Sequence, residues 1–200
     1  MKILLVGASG TIGSNIYDRL QIDHEIIRAG RNGADVQVDI TDESSIRDMY
    51  ERIGNVDAVI NASGSAGFAS LTELTPDKNE TAINSKLKGQ MNLVLLGIPY
   101  INDGGSFTLT SGVMMDDPIP KGSSAAMANG AIRSFVTSAA VEMPRDIRIN
   151  SVSPGLLEES ASRIGHFFRG FIPVPGKKVA VAYQKSVEGA QTGQSYEVYE

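Results

Sequence analysis

Ile3-Leu4-Leu5-Val6-Gly7-Ala8-Ser9-Gly10-Thr11-Ile12-Gly13 is the stretch on which the fold turns. A short, unbroken apolar run ending directly in glycine marks a strand covered on both faces, as parallel sheets require. The glycine-rich turn then opens a helix predicted to end near Leu20. A helix N-terminus carries unpaired backbone N–H groups and a partial positive charge, which suits a phosphate. A diphosphate reaches those groups only where no side chain intervenes. Gly7 allows the tight turn, Gly10 the close approach and Gly13 the packing of helix on strand, with Ser9, Thr11 and Ile12 completing the cradle. A glycine triplet alone is weak evidence; the strand before it and the helix after it are what a dinucleotide site needs.

Outward from that turn, strand and helix signals alternate. Glu25 to Ala29, Val36 to Ile40, Asp57 to Ala62, Ser106 to Thr110, Ile147 to Val152 and Tyr196 to Tyr199 read as further strands. Behind a cap at Thr41 or Asp42, Ile46, Met49, Tyr50 and Ile53 recur at helical spacing. Thr75-Pro76 starts a helix that runs through Ile83, Leu87, Met91 and Leu95 to about Gly97. Another runs from Ser123 to about Glu142, closed by Pro144, and a last one from Lys177 to about Glu188. Such alternation forces right-handed crossovers between parallel strands. The expected architecture is α/β: a single doubly wound parallel sheet of Rossmann type, about seven strands with helices on both faces, in one domain spanning 1–200. Residues 156–175, aromatic and punctuated by proline, read as a substrate lid within it.

Composition removes much chemistry. The 200 residues include no Cys and only two His, at 24 and 166, so disulfides, thiolate metal sites, cysteine nucleophiles and multi-histidine metal centres are excluded and no metal site is expected. The net charge of -5, without a dense basic cluster, argues against nucleic acid and anionic membranes as partners. No apolar run approaches the ~20 residues of a membrane span, and the N-terminus lacks the long apolar stretch of a signal peptide. A cytoplasmic protein is expected.

The second strand runs into Arg28-Ala29-Gly30-Arg31-Asn32, with no acid before Asp35. A carboxylate at that strand end would bond a ribose 2′-hydroxyl, whereas Arg31 is placed to pair a 2′-phosphate. This favours NADP over NAD; the alternative is an ordinary loop arginine. Asp39 and Ile40 fall where the adenine would lie, and Asn61, Ala62, Ser63 and Gly64 beside the adenosine ribose. Asn61 serves equally as a strand-end turn residue.

Together, Gly7-x-x-Gly10-x-x-Gly13, Asp39-Ile40, Asn61-Ala62-Ser63-Gly64, Asn84, Thr110-Ser111 and Pro154-Gly155 stand in the order of the short-chain dehydrogenase/reductase family, which the chain resembles over nearly its whole length. The middle glycine, at 10 rather than 11, is similar to the extended and atypical branches. The resemblance implies Asn84 and Ser111 as catalytic residues, and Pro154 and Gly155 beside the nicotinamide. It also implies a homodimer or homotetramer paired through the long helix, whose Met127, Ala131, Phe135 and Ala139 core packing explains equally well. The family's Tyr-x-x-x-Lys pair is missing. In its register stand Ala125, which cannot donate a proton, and Asn129, which can still bond a ribose hydroxyl. Lys88, four residues after Asn84 and so on the same helical face, is either a replacement charge or a solvated lysine. Two functions follow: an NADP-dependent oxidoreductase acting on a small, largely apolar carbonyl or alcohol with a non-standard proton donor, or a catalytically inactive NADP-binding redox sensor or regulatory module.

Overall fold

The opening apolar run is β1, Lys2–Val6, buried throughout from Ile3 to Val6 in the computed structural model, which describes residues 1–200. Successive side chains of a strand point to opposite faces, so β1 feeds two cores. Leu4 and Val6 enter a layer with Ile46, Met49, Tyr50, Leu93 and Ile132. Ile3 and Leu5 enter the other, with Ile16, Leu20, Val179 and Tyr183. A strand in that position has no face on which a polar residue is tolerated.

After β1 the chain forms α1 (Thr11–Leu20), β2 (Glu25–Gly30), β3 (Val36–Gln37), α2 (Glu43–Ile53), β4 (Val56–Asn61) and α3 (Pro76–Thr81). A π-helical stretch (Ala82–Lys88) leads directly into α4 (Gly89–Gly97), followed by β5 (Ile101–Thr110), α5 (Ser123–Ala139), β6 (Arg148–Pro154), α6 (Glu158–Ile164), α7 (Gly176–Glu188) and β7 (Ser195–Val198). The seven strands pair in parallel in the order β3-β2-β1-β4-β5-β6-β7. The winding reverses between β1 and β4, and ligands of such sheets bind at the carboxyl ends of the strands flanking that point. The expected doubly wound Rossmann-type sheet is the fold.

Local signals mostly place the elements. Asp42, rather than Thr41, caps α2 by accepting from the Ser44 amide at 2.9 Å. Thr75 caps α3, with Pro76 in its first turn. The third strand is shorter than its apolar pattern predicts, leaving Asp39 and Ile40 beyond its end.

The helix expected from Thr75 to Gly97 is interrupted by the π turn. Gln90, fully buried, holds it there: its Nε2 donates to the carbonyls of Lys86 at 2.8 Å and Thr110 at 2.9 Å, and its Oε1 accepts from the Thr110 amide at 2.8 Å. Even in this wider turn four residues bring Asn84 and Lys88 to one face, and both are exposed there, which makes Lys88 the solvated lysine of the two expectations. Asn84 bonds back to Glu80, Lys88 is exposed, and Lys86 is the lysine turned inward.

Leu156 to Pro175 leaves and rejoins the sheet through a narrow neck. The Glu158 amide donates to the Val174 carbonyl at 2.9 Å, and the Val174 amide to the Leu156 carbonyl at 2.8 Å. Phe168 buries itself among Val113, Ile119 and Leu156. Phe167 stacks on Phe68 with ring centroids 5.1 Å apart, tying this segment to the loop after β4.

Candidate active site

The three glycines of the first turn do different work. Gly7 lies in the left-handed region at φ 86°, and a Cβ there would stand 2.8 Å from the Ser63 Cβ. A Cβ on Gly13 would collide with the Gly7 carbonyl, so turn and helix meet backbone to backbone. A Cβ on Gly10 would meet only the Gly7 carbonyl, at 3.4 Å. The protein itself therefore hardly restricts residue 10, and the space beyond it is open. No side chain caps α1 and its first turn holds no acid, leaving the first-turn amides of Thr11, Ile12 and Gly13 for an external acceptor. A diphosphate fits this cradle in both charge and room.

A cleft of about 900 Å³ extends from the turn, lined by Ser9 and Gly10, by Arg31, Asp39 and Ile40, by Ala62, Ser63 and Gly64, and by Asn84. Arg28 grips Asp35 with Nη2–Oδ1 at 2.6 Å and Nε–Oδ2 at 3.1 Å. That grip holds the Asp35 carboxyl below the usual carboxylate range and occupies the acid nearest the end of β2. Arg31, exposed on the cleft wall, has no such partner. Asp39 accepts from the Thr41 amide at 2.9 Å and the Thr41 hydroxyl at 2.8 Å, bonds that hold its carboxyl low. Asn61 is fully buried: its Oδ1 accepts from the Ser63 hydroxyl at 2.6 Å and its Nδ2 donates to the Ser63 carbonyl at 2.9 Å. Of the two expectations for Asn61, the geometry realises the turn residue, which shapes the loop presenting Ala62 to Gly64.

At the end of β5 three successive carbonyls are addressed by side chains from two facing helices. Asn129 of α5 donates from Nδ2 to the Gly112 carbonyl at 3.2 Å, while its Oδ1 is buried without a donor. Lys86 of the π turn donates from Nζ to the Ser111 carbonyl at 3.3 Å and the Thr110 carbonyl at 3.5 Å. Lys86 is partly buried, and burial pulls its pKa from 10.5 down to about 8. The Ser111 hydroxyl, also buried, donates to the Val152 carbonyl at 3.2 Å. Ala125 is buried in the register of the missing tyrosine. Ser111 and Asn129 thus meet as expected at one strand end. Asn84 lies on the cleft wall bonded to Glu80 at 3.0 Å, and Lys86 is the residue of that segment at Ser111.

Beyond β6, the Gly155 amide donates to the Val198 carbonyl at 2.8 Å, and a Cβ on Gly155 would stand 3.2 Å from the Tyr199 Cα. Pro154, the last residue of β6, is buried beside it. Tyr199 donates its hydroxyl proton to Asp116 at 2.6 Å and shares a hydrogen bond with Ser153 at 2.9 Å. Burial pushes its pKa well above the ordinary tyrosine value. Arg133 holds the other Asp116 oxygen at 2.7 Å. Lys86, Gln90 and Tyr199 escape sequence reading. A Lys-Leu-Lys run could have flagged the first, but only the π turn says which lysine faces in.

A parallel sheet with a glycine cradle at its switch point and polar groups gathered at the ends of β5 and β6 defines a nicotinamide-type oxidoreductase. The chain belongs to the short-chain dehydrogenase/reductase family: a family model described as enoyl-(acyl carrier protein) reductase matches residues 13–187. An uncharacterized oxidoreductase of Staphylococcus epidermidis is 24% identical over 177 residues, covering 78% of this chain and 77% of the relative. A 3-oxoacyl-[acyl-carrier-protein] reductase of Thermotoga maritima is 27% identical over 128 residues, 60% of this chain and 52% of the relative. A solved structure of a Listeria innocua protein matches all of both chains at 63% identity and a TM-score of 0.99. A small-chain dehydrogenase solved with NADPH shares the fold at a TM-score of 0.87 and 24% identity, over 99% of this chain and 96% of that one.

Proposed function

We propose that this chain is an NADP-dependent oxidoreductase that interconverts a small, largely apolar carbonyl compound and its alcohol without the tyrosine acid of its family. The observation that carries this reading is the pairing of an open diphosphate cradle at Gly10 with an unpartnered Arg31 on the same cleft. Arg31 offers a planar fork to a 2′-phosphate; Asp35, the acid nearest the end of β2, is engaged by Arg28, and the charge that Arg31 shares the cleft wall with is that of Asp39. The solved dehydrogenase with NADPH is in keeping with this choice. Bound in the cleft, the nicotinamide supplies or accepts the hydride. The chain orients it through the first-turn amides, through the Ser63–Gly64 loop and through the orphaned Asn129 Oδ1, which can accept from a ribose hydroxyl. In this reading the apolar roof of the substrate approach would come from Phe68 and Phe167, stacked on each other, and from the buried Phe168.

Calorimetry with NADPH and NADH tests the reading: micromolar NADPH binding, about -8 kcal/mol, with NADH clearly weaker. Equal affinities would remove the NADP preference, and no binding would remove the cofactor. A second reading, a redox-sensing module without turnover, rests on Ala125 at the tyrosine register. It predicts the same binding with no hydride transfer to any carbonyl. Pairing of two or four copies through α5 is part of the proposal, and light scattering in solution checks it.

A further inference from the structure

The cradle, Arg31 and Asn129 account for cofactor binding and leave the Lys86 ammonium without a task. We propose that Lys86 is the proton donor of the active centre, delivering a proton from its Nζ to the substrate oxygen in place of the missing tyrosine. The inference rests on the NADP-dependent reductase reading above.

Three observations carry it. First, position: Lys86 reaches the strand end that also holds Ser111, and Gly64, on the cleft-lining loop, has its would-be Cβ 3.2 Å from the Lys86 Cα. The π turn therefore backs directly onto the cleft, whose wall includes the adjacent Ser85. Second, valence: an ammonium has three donors. Only two acceptors face this one, at 3.3 and 3.5 Å, the long end of hydrogen bonding. One N–H is left over and the group is loosely held. Third, surroundings: the groups that meet the ammonium are the Thr110 and Ser111 carbonyls at the end of β5, both uncharged. The nearby acid Glu80 is bonded to Asn84, Asp77 lies on the cleft wall, and no carboxylate pairs with Lys86. An unpaired, buried lysine gives up its proton more readily than a solvated one, and burial puts it at about 8, within working range of neutral pH.

In the reduction, hydride adds to the carbonyl carbon with its electron pair, and the reduced nicotinamide is oxidised. The C=O π bond breaks, and its electrons take the Lys86 proton to make the O–H bond. Lys86 is left as a neutral amine and regains a proton from water; oxidation of the alcohol runs the same transfers backwards. Ser111, its hydroxyl tied to the Val152 carbonyl, is a weak acid and no substitute.

The test uses the full chain with labelled lysines, followed by NMR at the side-chain ε position as pH is raised. The Lys86 signal is assigned by its loss in Lys86→Met and is expected to titrate near 8. Saturating NADPH should move that titration, and Lys86→Arg, which keeps charge but is a far poorer acid, should still bind NADPH. With a panel of aromatic aldehydes and diketones, wild-type kcat/KM should fall about tenfold per pH unit above the Lys86 titration. Lys86→Met and Lys86→Arg should lose about 10²–10⁴ in rate, together with that limb. If NADPH binds but leaves the Lys86 titration unmoved, or if Lys86→Met keeps the limb, Lys86 is not the donor and the cofactor reading stands. Binding without turnover on any panel member also overturns proton donation and leaves the sensor. Failure of both NADPH and NADH to bind removes the cofactor reading, and the Lys86 assignment with it.

Discussion

Replacing Lys86 by methionine should make the protein more stable. Methionine keeps the length and flexibility of the stem and removes the charge. In the native state burial lowers the lysine from 10.5 to about 8, which at about 1.4 kcal/mol per pH unit is a cost of about 3 kcal/mol at neutral pH. Against this, the substitution gives up two long hydrogen bonds. The Thr110 carbonyl keeps Gln90 as a donor at 2.9 Å, so the loss falls mainly on Ser111, at about 1 kcal/mol. A net gain of about 2 kcal/mol corresponds to a rise in Tm of about 4–8 °C for a chain of this size. The pH dependence separates this cause from better packing. Between about 8 and 10.5 the unfolded chain holds a proton that native Lys86 has released, so wild-type stability rises with pH across that window. Lys86→Met lacks this contribution, and its advantage should shrink accordingly. Urea melts of both proteins at neutral pH and near pH 10 read the difference. A variant less stable than wild type at neutral pH, or an advantage that stays constant across the window, would refute the reasoning.

Gly10→Ala should fold normally yet lose at least tenfold in NADPH affinity, because its methyl meets only the Gly7 carbonyl at 3.4 Å inside the protein but stands in the diphosphate seat; Gly13→Ala, which collides with backbone, should unfold or melt well below wild type, as denaturant titration will show. Arg31→Ala should weaken NADPH by about 10-fold or more and leave NADH nearly unchanged in calorimetry, the loss of one charge-assisted contact being about 1.5–3 kcal/mol. Tyr183→Phe should cost about 1 kcal/mol in urea melts, since Tyr183 shares a buried hydrogen bond with the Thr110 hydroxyl at 2.5 Å while Thr110 keeps the Asn61 carbonyl as acceptor.

Legibility followed the range of the interactions. β1 and its glycine turn are local: four apolar residues exclude an exposed face, Gly7 takes a left-handed φ of 86°, and Gly13 is required by the Gly7 carbonyl within the turn. Caps at Asp42 and Thr75 reach only two or three residues ahead. The π turn is different in kind. It depends on Gln90 meeting β5 twenty residues further on, and helical periodicity between Ile83 and Leu95 gives no sign of that partnership. Asn84 therefore fell in the expected family order while its side chain turned to Glu80. Tyr199 was readable only as the end of a strand, because its contacts to Ser153 and Asp116 come from elements far apart in sequence.

A long helix with Ala125 and Asn129 in the tyrosine and lysine registers is that of an inactive protein only when that helix is taken alone. The reacting atoms depend on what projects over the carboxyl ends of the strands, and two helices face that place. α5 supplies the Asn129 amide to the Gly112 carbonyl, and the π turn supplies an ammonium to the two carbonyls before it. The charge has a place in the site although the neighbouring helix provides it. A module that merely held a dinucleotide would need the glycine cradle and Arg31, and would gain nothing from an unpaired cation whose burial costs about 3 kcal/mol. A group strained against its own solvation and loosely bonded at a strand end suits proton transfer, and it is on this ground that we propose the enzyme rather than the sensor.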